Sequence, residues 1–216
     1  WYKFDDNKLL DDSSGNGYNL TNVGSGGIID TTNFIRGNSS TYFNGTANYF
    51  KTTTSINLNV PISFSFWFRI PTTSLNSYYT IIGYTNSTIT SPSIQFDINN
   101  GNMTIYTAIN TQWTNPVSVS TTFQGNTWYH IVYTLSNDNQ VNCKIYINGN
   151  LNTSSLGASG KVLKSDSIGY LAVGYSGDQN RGYVGNIDDF RIYNKVLTAE
   201  EINNIYRDLL YNFSCV

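Results

Sequence analysis

The segment 62–70, Ile-Ser-Phe-Ser-Phe-Trp-Phe-Arg-Ile, sets Ile62, Phe64, Phe66, Phe68 and Ile70 on one side and Ser63, Ser65, Trp67 and Arg69 on the other. Side chains alternate across a strand with a period of two, so this pattern predicts a strand with one face in a core. Tyr129, Ile131, Tyr133 and Leu135 alternate in the same way with Trp128, His130, Val132 and Thr134. Turn residues 136–139 then lead into Val141, Cys143, Ile145 and Ile147, and the two runs predict a hairpin. Asn148-Gly149 suits the positive φ angles of a tight type I′ turn, after which Leu151 begins the return. Shorter runs predict strands at 1–4, 40–43, 49–52, 80–84, 93–98, 103–109, 117–123, 167–174 and 185–193, with Gly, Asn, Ser and Thr between them.

The period changes only near the end. Thr198 followed three residues later by Glu201 forms a capping box, and Ile202, Ile205, Tyr206 and Leu209 then recur at helical spacing. The expectation is an all-β chain closed by one short C-terminal helix. A dozen or so strands without helices between them argue for two antiparallel sheets packed face to face, a jelly-roll β-sandwich forming a single domain over 1–216.

Composition adds constraints. Apolar residues make up 39% and aromatics 15%, enough for a large core, while charged residues are only 12%, about half the usual share. The surface is therefore built from Asn, Ser, Thr, Gly and Tyr. A net charge of −2 with scattered cations leaves no electrostatic footprint for nucleic acid or an anionic membrane surface. No apolar run is long enough to insert into a bilayer as a helix. The chain opens on Trp1 with no secretory leader pattern, so it is expected to be processed or cut from a longer protein.

Cys143 shares a strand face with Val141, Ile145 and Ile147 and reads as a buried thiol. Cys215 is its only possible partner within the chain, and a bridge would pin the C-terminal tail and argue for an oxidising compartment. Sequons at Asn19, Asn38, Asn44, Asn86, Asn102, Asn152 and Asn212 are no more frequent than this Asn-, Ser- and Thr-rich composition gives by chance, so they carry no glycosylation signal.

Catalysis finds little support. The only glutamates, Glu200 and Glu201, are adjacent on the helix, where they cannot flank a glycosidic bond as an acid and base pair. His130 is the sole histidine, which excludes multi-histidine metal sites and leaves one candidate general base on a strand, where a histidine is more often structural. No phosphate loop or nucleophile elbow is present. The chain reads as non-enzymatic, with no catalytic residues.

Taken in order, W-Y-K-F-D-D with D-D-S-S-G-N-G-Y-N-L, I-S-F-S-F-W-F-R-I, T-W-Y-H-I-V-Y-T-L with K-I-Y-I-N-G-N-L, and G-N-I-D-D-F-R-I-Y-N-K-V-L-T-A-E-E-I resemble the laminin-G-like and pentraxin-like branch of the concanavalin A-like lectin/glucanase superfamily. F-W-F-R-I-P and K-I-Y-I-N-G-N-L are also similar to the jelly-roll half of the clostridial neurotoxin receptor-binding region, which is read as a shared fold and not a shared toxin function. The resemblance implies an adhesion or glycan-binding sandwich, extracellular or on a cell or virion surface, often holding calcium. The loop matching the pentraxin calcium loop has Asp178 as its only acid, against a two-ion site there. By motif position a single structural calcium near the chain ends would draw on Asp6 or Asp12 and on Asp188 or Asp189. Counting back from Phe190 and Ile192, Asp188 falls on the core side, where a carboxylate needs a cation or several hydrogen-bond donors. The alternative is that Asp188 bonds backbone amides and clasps the chain ends together.

Sugar recognition stacks exposed aromatic rings on a pyranose while amides and carboxylates take its hydroxyls. Trp113, Tyr78, Tyr79 and Tyr175 are the ring candidates, with Asp178 and Asn180 beside Tyr175. Two function classes stay open: a module binding a glycan or glycoprotein, and a structural decoration domain packed against neighbouring domains or subunits of a larger assembly.

Overall fold

The structure, a computed structural model, describes residues 1–207 apart from 6–7, 46–47, 75, 87–91, 110–111, 114–116, 137–139, 160–168 and 176–180. The described strands are β1 (Leu20–Val23), β2 (Ile28–Asp30), β3 (Ser40–Asn44), β4 (Tyr49–Thr52), β5 (Ile62–Arg69), β6 (Tyr78–Asn86), β7 (Pro92–Asn99), β8 (Asn102–Ile109), β9 (Gln112–Trp113), β10 (Val117–Thr122), β11 (Trp128–Leu135), β12 (Gln140–Ile147), β13 (Asn150–Ser159), β14 (Gly169–Val173) and β15 (Val184–Tyr193), followed by helix α1 (Ala199–Tyr206). They form two antiparallel sheets. One runs β1-β4-β14-β6-β7-β8-β10, with β9 paired to β8, and the other runs β13-β12-β11-β5-β15-β3-β2.

The alternation in β5 is realised with Ile62, Phe64, Phe66 and Phe68 in the core beside Ile131, Tyr133 and Leu135 of β11 and Cys143, Ile145 and Ile147 of β12. Phe96 of β7 meets them from the other sheet, its ring 5.3 Å from Phe66 at 84°. Edge-to-face contact of this kind sets the positive rim of one ring against the negative face of the next. Asn148 and Gly149 both have positive φ, as the tight turn between β12 and β13 requires.

The opposite face of β5 is also buried, under α1. Thr198 Oγ1 accepts the Glu201 amide at 3.2 Å and Glu201 Oε2 accepts the Thr198 amide at 2.9 Å, so the capping box forms. Ile202 and Ile205 then pack with Val132, Tyr146, Tyr193 and Leu197 in a second, smaller core. Leu209 lies outside the described residues.

Three local expectations need correction. β1 and β2 were not legible as strands, and residues 1–4 make a single bridge, Tyr2 to Phe190, rather than a strand. Phe4 adopts φ 58, which ends the extended run. Asp188 does not face the core as its spacing from Phe190 and Ile192 predicts, because a bulge interrupts β15 between Asp188 and Arg191, with Asp189 at φ 48. A bulge adds one residue and reverses the facing of what precedes it. Ile187 therefore joins Phe190 and Ile192 in the main core, while Asp188 lies opposite Trp67 on the outer face of the sheet.

Candidate functional site

Two polar clusters stand outside the cores, one on the outer face of each sheet. On the eight-stranded sheet, Ile94, Phe96 and Ile98 of β7 point into the core, so Gln95 and Asp97 point outward. Asp97 nevertheless has only 1% of its surface exposed. Thr80 Oγ1 donates to its Oδ1 at 2.7 Å, Tyr78 Oη to its Oδ2 at 2.8 Å, and Gln95 Nε2 reaches both oxygens at 2.7 Å. Burial pushes the Asp97 carboxyl up, against the pull of these donors and of Arg181.

Arg181 completes this cluster. Its Nη1 is 3.4 Å from Asp97 Oδ2, and its guanidinium carbon lies 3.7 Å from the Tyr78 ring centre. Backbone bonds hold Gly174 and Arg181 beside β6: Gly174 donates to the Ile81 carbonyl at 2.7 Å and Thr80 donates to the Arg181 carbonyl at 3.0 Å. Tyr175 stacks on Tyr49 at 4.7 Å and 18°.

Of the ring candidates, Tyr78 stands in this cluster. Tyr79 turns the other way, against the core and the Tyr183 ring at 6.3 Å, as the period of two demands for adjacent strand residues. The backbone of Trp113 lies on β9 beside Ala108. Asp178 and Asn180 lie outside the described residues, as do Asp6 and Cys215. The sequence reading missed Arg181 and Asp97, although a carboxylate alternating outward between Ile94, Phe96 and Ile98 was a signal available in it.

The second cluster gathers around the β15 bulge. Asp188 Oδ2 accepts the amides of Ile35 at 2.9 Å and Arg36 at 3.0 Å. Asp189 pairs with Arg36 at 3.0 Å, accepts Arg191 Nε at 2.8 Å and Nη2 at 2.9 Å, and accepts the Trp1 indole at 2.7 Å. Arg36 Nη2 also donates to the Ile205 carbonyl at the end of α1. Asp12, in its own loop, accepts the amides of Ser14 at 2.9 Å and Tyr18 at 3.0 Å and lies 3.0 Å from the Trp1 nitrogen. Calcium wants several carboxylate and carbonyl oxygens turned to one point. Asp189 already faces two guanidinium groups, and no group of three or more His, Cys, Asp or Glu able to hold a metal occurs among the described residues. This donor set fits arginine and amide partners rather than a calcium ion, and the clasp between chain segments is what the geometry supplies.

His130 is 1% exposed, with Nε2 2.9 Å from Ser65 Oγ and Nδ1 without a partner among the described residues. Burial holds it down to about 3, against the attraction of Asp189 and with Arg36 and Arg191 adding to the depression. The Ser65–His130 contact imitates a nucleophile and base, but Asp189 is committed to arginines and the pair lies beneath Trp67 and Tyr206, whose rings are 5.6 Å apart. Asp188 is pushed up to about 7, by burial first and by Asp189 second, while the two amides pull it back.

Against known proteins, the chain is 34% identical over 157 residues to botulinum neurotoxin type F of Clostridium botulinum (strain Langeland / NCTC 10281 / Type F), a match covering 68% of this chain and 12% of the toxin. Among solved structures, the botulinum neurotoxin serotype D binding domain superposes with a TM-score of 0.71 at 22% identity, covering 96% of this chain and 51% of that one. The serotype D ligand-binding domain in complex with N-acetylneuraminic acid gives 0.68 at 24%, covering 96% and 50%. The chain thus spans about half the length of these solved domains and a small part of the toxin. At these identities the structures share the fold. A laminin-G model described as concanavalin A-like lectin/glucanases superfamily matches residues 43–203, and the chain belongs to that family.

Proposed function

We propose that the chain is a non-catalytic module that binds a glycan or glycoprotein outside the cell, at the outer face of the eight-stranded sheet where Tyr78, Asp97 and Arg181 meet. One observation carries the reading. The outer face of the seven-stranded sheet is closed by α1, whereas the other sheet presents an aromatic ring, a held carboxylate and a guanidinium at its outer surface with no described helix over them. Rings with convergent polar groups are what sugar sites use. A solved domain that shares this fold over half of its length is in complex with N-acetylneuraminic acid, which supports reading the ligand as a carbohydrate.

The non-catalytic part is supported by where the titratable groups sit. Glu201 is engaged by Lys195 at 2.6 Å and by the capping box, His130 is sealed, and Asp188 and Asp189 serve the clasp. A glycan array with the folded chain tests the reading, and binding to no glycan would sink it. The decoration-domain reading has one observation in its favour: Ile28, Ile29, Phe34 and Ile35 on β2 and the turn after it are 56%, 39%, 39% and 40% exposed. An array without hits, together with self-association at micromolar concentration, would move the assignment there.

A further inference from the structure

Among the described residues, the exposed large apolar side chains are Ile28, Ile29, Phe34, Ile35, Leu151 and Val196, and four of the six fall within residues 28–35. Ile28 and Ile29 lie on β2, the strand at one end of the seven-stranded sheet. Adjacent strand residues point to opposite faces, so their exposure of 56% and 39% leaves β2 uncovered on both sides. A sheet edge presents a row of unpaired N–H and C=O groups, which proteins blunt with lysine, proline or inward charges. Residues 22–29 hold no charged residue and no proline. The turn after β2 is fixed from within the chain. Asp30 Oδ1 accepts the amides of Thr32 at 2.8 Å and Asn33 at 3.0 Å, Asp188 Oδ2 accepts those of Ile35 and Arg36, and Ser40 Oγ donates to the Asn33 carbonyl at 2.6 Å. Phe34 and Ile35 are thus presented as an ordered apolar ridge, and prior ordering lowers the entropy that association costs.

We infer that β2 is a dimerisation edge, pairing antiparallel with β2 of a second copy of this chain across a two-fold axis. Charge selects this occupant. Asp30 Oδ2 also takes the side-chain amides of Asn33 at 3.0 Å and Asn186 at 2.9 Å, and Arg36 turns back to Asp189. With both charges of the segment taken up inside the chain, an acidic or basic partner finds nothing to match, whereas an apolar edge without net attraction or repulsion suits its own copy. A two-fold about either isoleucine keeps the two Asp30 residues roughly 7 Å or more apart along the strands, while parallel pairing would set them level. The same contact covers both ridges at once, because a two-fold interface sets one patch against itself. β2 belongs to the sheet that does not carry the Tyr78, Asp97 and Arg181 cluster, so pairing stands independently of the glycan reading and gives the dimer two such clusters.

The test uses the 216-residue chain without added ligand. Sedimentation velocity over the micromolar range on the wild type, Ile28→Lys and Leu151→Lys gives the balance of monomer and dimer, and melting curves confirm that each variant is folded. Leu151 is 55% exposed on β13, at the opposite end of the same sheet, and so controls for losing an apolar side chain from an edge. The wild type should form a reversible dimer. Ile28→Lys removes a covered side chain from each copy and brings two cations together, and should weaken the dimer roughly hundredfold or more. Leu151→Lys should leave it within roughly twofold. Hydrogen exchange reads the pairing itself, since the amides of residues 28–30 should gain protection as the dimer fills. A chain that stays monomeric, a dimer untouched by Ile28→Lys, or one broken by Leu151→Lys overturns the inference. Assembly beyond two copies overturns it as well, because a closed two-fold contact stops at the dimer.

Discussion

His130 and Trp67 are cross-strand partners on β11 and β5, their rings 5.0 Å apart and both lying against Tyr206 of α1. On the far side of Trp67 its partner on β15 is Asp188. One indole therefore separates two buried groups that depart from their ordinary protonation in opposite senses.

The consequence for pH is a cancellation. Asp188 titrates near 7 in the fold against 3.8 when unfolded, so between those values the folded chain holds an extra proton and gains stability as pH falls. His130 titrates near 3 in the fold against 6.5 when unfolded, so the unfolded chain holds the extra proton and stability is lost as pH falls below 6.5. From pH 6.5 down to 4 the two proton counts offset each other. Asp188→Asn, whose amide oxygen still accepts the Ile35 and Arg36 amides, should lose stability on acidification by up to about 1.4 kcal/mol per pH unit. His130→Gln should gain it with the opposite slope. Urea melts at pH 4.5, 5.5 and 6.5 read both slopes, and parallel behaviour of the two variants would contradict the assignment.

Thr198→Ala removes the side-chain acceptor at the start of α1. The expected loss is about 1 kcal/mol, seen as a lowered melting temperature. The secondary core of Val132, Tyr146 and Tyr193 beneath the helix should become more accessible to hydrogen exchange before the main core does.

Phe66 is fully buried and touches the rings of Phe68, Phe96 and Phe190. Its replacement by Ala leaves a cavity between the two sheets and should destabilise the chain by about 3–5 kcal/mol in chemical denaturation.

Gly185 has φ +145, and a Cβ there would lie 2.2 Å from the Arg69 carbonyl oxygen and 2.6 Å from the Tyr183 hydroxyl. Gly185→Ala is expected to lower stability by about 2 kcal/mol or more, because neither the backbone angle nor the space admits a methyl group. An unchanged urea midpoint would show that β15 can shift away from β5 at this point.

Much of this architecture could be read along the chain because one residue in two was apolar. In β5, β11 and β12 the alternation is uninterrupted, and the capping residues of α1 mark its start to the residue. β1, Leu-Thr-Asn-Val, buries only Leu20, and β2 spans three residues, so neither repeats long enough to show a period. Asp188 illustrates a different limit. Its facing is decided by the extra residue at the bulge, a feature of pairing with β5 that nearby sequence does not encode in its polarity. The Arg181 site was hidden for a related reason. Tyr78, Asp97 and Arg181 are far apart in sequence, and the register of β6 on β7 and the backbone bond from Thr80 to Arg181 bring them together.

β15 occupies an interior place in the seven-stranded sheet, between β5 and β3, although it is the last of the described strands. During synthesis both neighbours must wait with open hydrogen-bonding edges until residue 193 has left the ribosome, and the clasp at Asp188 and Asp189 cannot tie down the 31–39 turn before then. Contacts of such long sequence separation also slow the search for the native pairing. Folding of this sheet thus waits for β15, and shortening the chain into β15 would remove the keystone of the sheet rather than trim its margin.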